Sequence, residues 1–250
     1  MISTSPQVTE LVFALGKGSD LVGTVMFSDY PAQAKAIPQI GPLFTPSIEK
    51  TLRAQADWVL MDSSLDQTQF MTNLSPHPIR TFSFELKTAR GLFKEAERFL
   101  SAVYDSTDLP LIRNLERCFQ ASQTESLSGA SFIILVSTSP FIAAGQSSFL
   151  SNLISQYGGR NLISADWKQD YPLLSEEWLL RNPPELIFYL AMGNESDGIQ
   201  SLITRWWPKK TPRFISLPMD PFGRASLGAI AAIYPTVFSK PILKCYELKP

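Results

Sequence analysis

Residues 47–60 read SIEKTLRAQADWVL and residues 175–188 read SEEWLLRNPPELIF, and the two stretches share one layout. In each, a serine suited to helix N-capping (Ser47, Ser175) is followed two positions later by a glutamate in the first turn (Glu49, Glu177). Eight residues after each glutamate an acidic loop residue, Asp57 or Glu185, precedes an apolar strand. Upstream of each stretch lies a further helix ending in glycine, at Leu15-Gly16 and at Tyr157-Gly158-Gly159. The duplication predicts two similarly built lobes with Glu49 and Glu177 at corresponding corners. A lone carboxylate in a first helical turn complements the helix dipole by about 0.3–1 kcal/mol wherever it occurs. Matched placement in both lobes points beyond that to a shared role.

Outward from these blocks, helical and strand patterns alternate. Residues 9–15 form a helical face closed by Gly16, and residues 21–27 read as a strand. A helix over 47–54 precedes a buried strand over 58–61, a further strand covers 80–84, and 89–103 is an amphipathic helix. Residues 109–124 stay helical without a strand, and an apolar strand over 132–136 restarts the alternation. Alternation of this kind predicts an α/β fold: two lobes with central parallel sheets covered by helices, joined by one long connecting helix. The expected division is an N-terminal lobe over 1–104, a connecting helix over 105–127 and a C-terminal lobe over 128–250.

The composition is that of a globular protein, with 22 Lys+Arg against 23 Asp+Glu, a net charge of −1 and 44% hydrophobic residues in 250. Without a basic block there is no electrostatic footprint for nucleic acid or an anionic membrane. The longest apolar runs, such as 132–136 and 228–234, fall far short of the roughly 18 residues that span a bilayer. The first residues lack the basic start of a secretory signal, so the chain is expected either to be cytoplasmic or to have lost a signal before Met1. Cys118 and Cys245 have no CxxC spacing, and their pairing stays open. With one histidine and two cysteines, no zinc site is expected. His77, in Ser-Pro-His-Pro, reads as a solvated turn residue.

Residues 5–49 resemble the N-terminal lobe of periplasmic substrate-binding proteins of the helical-backbone class, which serve ABC importers of cobalamin, ferric siderophores and haem. Within that class the chain is most similar to the cobalamin-binding proteins. The resemblance rests on Ser5-Pro6, Thr9-Glu10, Leu15-Gly16 and Ser28-Asp29-Tyr30-Pro31, then on Gly158-Gly159-Arg160-Asn161, Leu174-Ser175-Glu176-Glu177 and Phe222-Gly223-Arg224-Ala225-Ser226. It departs at Gln55-Ala56-Asp57-Trp58, where Lys-Pro-Asp-Leu is usual, and in a short connecting helix. The resemblance implies a ligand held in a cleft between the lobes and little hinge motion on binding.

Positions matching the family's ligand contacts are Phe27, Tyr30, Phe44, Phe141, Tyr171, Asp220, Phe222 and Arg224. The aromatic ones read as loop residues, and rings in loops offer contact area to an apolar ligand. Such a surface suits a corrinoid, whose neutral amide rim Asp220 and Arg224 would hydrogen-bond. A ferric siderophore would call for several arginines and haem for an axial ligand, of which Tyr30 and Tyr171 are candidates. The resemblance further implies that Glu49 and Glu177 dock the two halves of an ABC importer permease dimer. The expected partners are therefore a cobalamin or other corrinoid and that permease, with the binding protein a monomer that has no cofactor. No GxxxxGK[ST], GxGxxG or GxSxG motif is present, so an enzyme is not expected. A siderophore- or haem-binding protein and a cytosolic corrinoid-handling protein of the same fold are the alternatives.

Overall fold

Val59, Leu60, Met61 and Asp62 are all buried, the pattern of a parallel strand covered on both faces. The computed structural model describes residues 1–106, 110–123, 126–167, 169–191, 205–208, 211–218 and 226–238. The chain first runs through β1 (Ile2–Ser3), α1 (Pro6–Ala14), β2 (Thr24–Val25), β3 (Gln39–Gly41), α2 (Ile48–Arg53), β4 (Trp58–Asp62), α3 (Thr68–Leu74) and β5 (Arg80–Phe84). After α4 (Ala89–Tyr104) and α5 (Pro110–Ser122) follow β6 (Ser131–Thr138), β7 (Phe141–Ala143), α6 (Phe149–Ser155) and β8 (Arg160–Asn161). Then come α7 (Glu176–Arg181), β9 (Leu186–Ala191), β10 (Arg213–Pro218) and α8 (Leu227–Phe238). The chain packs into two units, Met1–Leu86 with Arg90–Asn114, and Lys87–Ala89 with the residues from Leu115 onward. The division falls inside α5.

Each unit repeats one sheet. In the first, β1, β4 and β5 pair in parallel in that order, and in the second β6, β9 and β10 do the same. Trp58 faces Arg80 in one register and Leu186 faces Arg213 in the other. The Arg80 N–H donates to the Asp57 carbonyl at 3.0 Å, and the Arg213 N–H to that of Glu185 at 2.9 Å. The acidic residues read from the sequence as loop markers thus stand at equivalent strand entrances.

The first core gathers Ile2, Val25, Ile40, Val59, Met61 and Phe70. On β5, Phe82 and Phe84 meet Phe99 of α4 with ring centroids 5.6 and 5.3 Å apart. In the second unit Ile133 and Leu135 of β6 and Ile187 and Tyr189 of β9 pack with Leu179 and Trp207. Fully burying such side chains contributes about 1.5–3 kcal/mol each, which is why the central strands β4, β6 and β9 are so largely apolar.

Several elements differ from the sequence reading. The strand expected over 21–27 is confined to Thr24–Val25, because Leu21 closes a 3-10 turn and the backbone turns sharply after Val25. The opening residues begin as β1, with Ile2 paired to Val59, and the helix expected over 9–15 starts earlier, at Pro6, whose ring suits a first helical position. Short α3 shows periodicity only through buried Phe70 and Leu74. Phe141, read as a loop aromatic, lies on β7, antiparallel to β6. Cys118 is buried and disulfide-bonded, and Cys245 lies outside the described residues.

Candidate functional site

In the first unit, two turns at one end of the β2–β3 pair carry exposed rings. The Ser28 N–H donates to the Val25 carbonyl at 3.3 Å, closing a tight turn with Phe27 at φ 67°. That left-handed conformation costs a residue with a side chain about 1–2 kcal/mol. Buried Val25 and Ser28 flank it, and Thr9 Oγ1 donates to Ser28 Oγ at 3.3 Å, so the turn is pinned to α1. Phe27 itself is 70% exposed. A left-handed backbone beneath an unburied ring singles out Phe27 as a candidate contact. Tyr30 follows at 39% exposure.

The second turn begins at Gly41, whose N-terminal neighbours pair with β2 and whose carbonyl accepts from Met26 N–H at 3.0 Å. Gly41 has φ 143°, and a Cβ there would meet Ser47 N at 3.2 Å. Three residues on, Phe44 is 60% exposed beside half-buried Leu43. The parallel pairing and the Met26–Gly41 bond bring the Phe27 and Phe44 turns to the same end of this sheet.

In the second unit, residues 170–174 lie along β7. The Ala143 N–H donates to Pro172 O at 3.0 Å and the Leu174 N–H to Phe141 O at 2.8 Å. Tyr171 is 58% exposed, and Leu173, two residues along the same extended segment, is also exposed. Gly145 lets this segment pass, since a Cβ there would lie 2.9 Å from Gln169 O. Loss of solvent around the Tyr171 hydroxyl and, second, the Asp170 carboxylate hold it above the ordinary tyrosine range. Because much of the ring still faces water, screening moderates both effects. Phe141 is half-buried, packed 5.4 Å from the Trp206 ring and against the second core, so its side chain serves the core on at least one side. Asp220, Phe222 and Arg224 lie outside the described residues.

The acidic corners are alike in detail. Ser47 Oγ accepts from Lys50 N–H at 3.3 Å and Ser175 Oγ from Trp178 N–H at 3.1 Å, each capping a short helix. Glu49 pairs with Arg53 at 2.6 Å and Glu177 with Arg181 at 2.7 Å, all four side chains largely exposed. The arginines were not singled out from the sequence, although Ser-x-Glu-x-x-Leu-Arg recurs at both corners and places each Arg four residues after its Glu. Among the described residues no group of three or more His, Cys, Asp or Glu is placed to hold a metal. No described helix is long and apolar enough to cross a membrane.

A family model described as periplasmic binding protein matches residues 1–208. The chain belongs to that family. Periplasmic binding proteins are a substrate-binding class, which accords with rings displayed to solvent and with the absence of nucleophile motifs. The vitamin B12-binding protein of Pectobacterium carotovorum subsp. carotovorum is 25% identical over 232 residues, spanning 90% of this chain and 82% of that protein. The crystal structure of the periplasmic vitamin B12 binding protein BtuF of Vibrio cholerae superposes with a TM-score of 0.76 at 21% identity, covering 96% of this chain and 97% of that one. The periplasmic heme binding protein HutB of Vibrio cholerae gives a TM-score of 0.78 at 17% identity, with 96% and 98% coverage. These two structures establish the two-lobed α/β fold of the family for this chain.

Proposed function

We propose that this periplasmic binding protein captures a cobalamin or related corrinoid and delivers it to an ABC importer. The observation that carries the reading is the display of Phe27, Phe44, Tyr171 and Tyr30 on the surface, at positions where folding alone would bury such rings. A corrinoid offers a broad apolar face for them and a neutral rim. The vitamin B12-binding relatives support the same ligand. Asp220, Phe222, Arg224 and Phe141 are retained as contact residues, Asp220 and Arg224 for the rim and the two rings for the apolar face.

Glu49 and Glu177 are proposed to dock the permease dimer, one from each unit, with the binding protein acting as a monomer. A partner of two-fold symmetry requires equivalent charges at equivalent corners, and both corners have the same cap, carboxylate and arginine. We place the protein outside the cytoplasm: the family name and the Cys118 disulfide support an oxidising compartment. The haem reading has one specific support, the exposed phenols of Tyr30 and Tyr171.

Absorbance titration with cyanocobalamin, haemin and a ferric siderophore tests the assignment. One-to-one cyanocobalamin binding at a Kd of about 1 μM or tighter, roughly −8 kcal/mol, is expected. Saturable binding of haemin or siderophore without any corrinoid response overturns it.

A further inference from the structure

Gln67 is 3% exposed, an unusual place for a carboxamide, and its hydrogen bonds join three separate segments. Its Oε1 accepts from Thr4 Oγ1 at 2.7 Å, and its Nε2 donates to Thr4 O at 3.0 Å and to Leu43 O at 2.6 Å. Both N–H donors are therefore satisfied, along with one acceptor lone pair. Thr4 immediately follows β1 and is itself held by β4 through Thr4 N–H to Leu60 O at 2.9 Å. Gln67 precedes α3, and its own carbonyl accepts the first bond of that helix from Met71 N–H at 2.9 Å. These contacts make the Thr4–Gln67 pair a rigid point at the end of the first sheet.

The third contact reaches out of the sheet. Among the described residues it is the one side-chain hydrogen bond to residues 42–46, the turn that carries Phe44. The turn contains Pro42 and Pro46, which have no N–H to offer. The Leu43 side chain packs on the first core, Pro46 is buried and Ser47 N–H bonds Ile40 O at 2.9 Å, so the carboxamide adds a hydrogen bond beside Phe44 to a turn otherwise held at its ends and by packing. The Leu43 carbonyl is the atom directly before Phe44, and its direction sets the peptide plane from which the Phe44 backbone departs.

We propose that Gln67 is a positioning residue for ligand recognition, its carboxamide fixing the Leu43 carbonyl so that the exposed Phe44 ring is held ready for the ligand. The proposal rests on the reading of Phe44 as a contact residue, and it assigns the readiness of that ring to a side chain that touches no ligand. A ring already held in its bound orientation loses less freedom on binding than one on a wandering turn, so the effect is felt as affinity.

The test uses Gln67→Met, similar in length but without the donors, alone and combined with Phe44→Ala. In the Phe44 background, Gln67→Met weakens cyanocobalamin or haemin affinity by about tenfold, whereas in the Phe44→Ala background it changes affinity by less than about twofold, the signature of coupled positions. Equal losses in both backgrounds overturn the proposal, as they would mark a general effect on the fold. A second measurement needs no ligand: limited chymotrypsin cleavage after Phe44, with cleavage after Phe27 on the neighbouring turn as internal reference. Gln67→Met is expected to speed cleavage after Phe44 by at least about tenfold relative to Phe27, because local opening of one turn leaves the other protected. A parallel rise at both bonds, or none at either, overturns the proposal. If the wild-type protein binds neither probe, the functional reading fails by itself, and the cleavage ratio still decides whether Gln67 holds the turn.

Discussion

The Glu177 carboxylate meets the Arg181 guanidinium at 2.7 Å along one helical turn. The same relationship recurs between Glu49 and Arg53 at the other corner. Exposed pairs at this spacing stabilise a helix by only about 0.3–0.5 kcal/mol, so little stability is at stake in removing either carboxylate. Replacing both glutamates by alanine is expected to leave ligand affinity and thermal stability nearly unchanged while abolishing stable docking and uptake with the cognate permease. Pull-down and vesicle uptake check it, and normal uptake by the double variant removes docking from these corners.

Phe27 gives a case in which stability and binding should move in opposite directions. Phe27→Gly relieves the left-handed backbone and is expected to raise stability by about 1 kcal/mol, discounted by the greater freedom of the unfolded chain. The same change, like Phe27→Ala, removes a ring and should weaken ligand binding by about 1–3 kcal/mol. Calorimetric melting and titration on one preparation separate the two effects. A large drop in melting temperature with unchanged affinity would show the ring to be structural.

Gly145→Ala tests the support of Tyr171. Its Cβ would stand 2.9 Å from Gln169 O and 3.1 Å from Asp170 O, and both are backbone atoms that must shift to admit it. Overpacking of this kind costs about 1–3 kcal/mol. Displacing residues 169–171 should also weaken ligand binding to about the extent seen for Tyr171→Ala, and a structure of the variant would show the moved segment. Unaltered affinity in both variants places Tyr171 outside the site.

Tyr104 supplies a pH prediction. Loss of solvent and then its hydrogen bond and proximity to Asp20 hold the hydroxyl above its ordinary range. The folded state therefore keeps this proton where the unfolded state releases it, and the contribution is fully present below about pH 10 and lost as the pH rises further. Urea denaturation should show stability falling from about pH 10 upward, with a shallower fall in Tyr104→Phe. An identical alkaline slope in the variant assigns the dependence to other groups.

Much of the architecture could be read along the chain because parallel strands are buried on both faces and announce themselves as apolar runs. Residues 58–62 and 131–138 did so, while 80–84 alternates exposed and buried residues around Phe82 and Phe84, and the helices around them carried caps at Ser47 and Ser175 and a glycine end at Gly16. Repetition of the Ser-x-Glu spacing was enough to indicate two like units, since local capping chemistry depends only on neighbours within one turn. Short elements carry no such signal: β1, β3 and β8 have two or three residues each and exist only because a partner strand supplies their hydrogen bonds.

The candidate site divides in the same way. That Tyr30, Phe44 and Tyr171 are aromatic and lie outside periodic faces is sequence information, while the exposure of these rings, and the turn that frees Phe27 from the strand expected over 21–27, are tertiary facts. Phe141 shows the limit, since its placement on β7 against Trp206 depends on a residue 65 positions away. Gln67 shows it again from the other side. Nothing in the local sequence distinguishes that glutamine from a solvated one, and only folding brings Thr4 and Leu43 to its carboxamide. Burial patterns and caps are written by neighbours in sequence, whereas buried polar bonds and displayed rings are decided by which distant segments the sheet brings side by side.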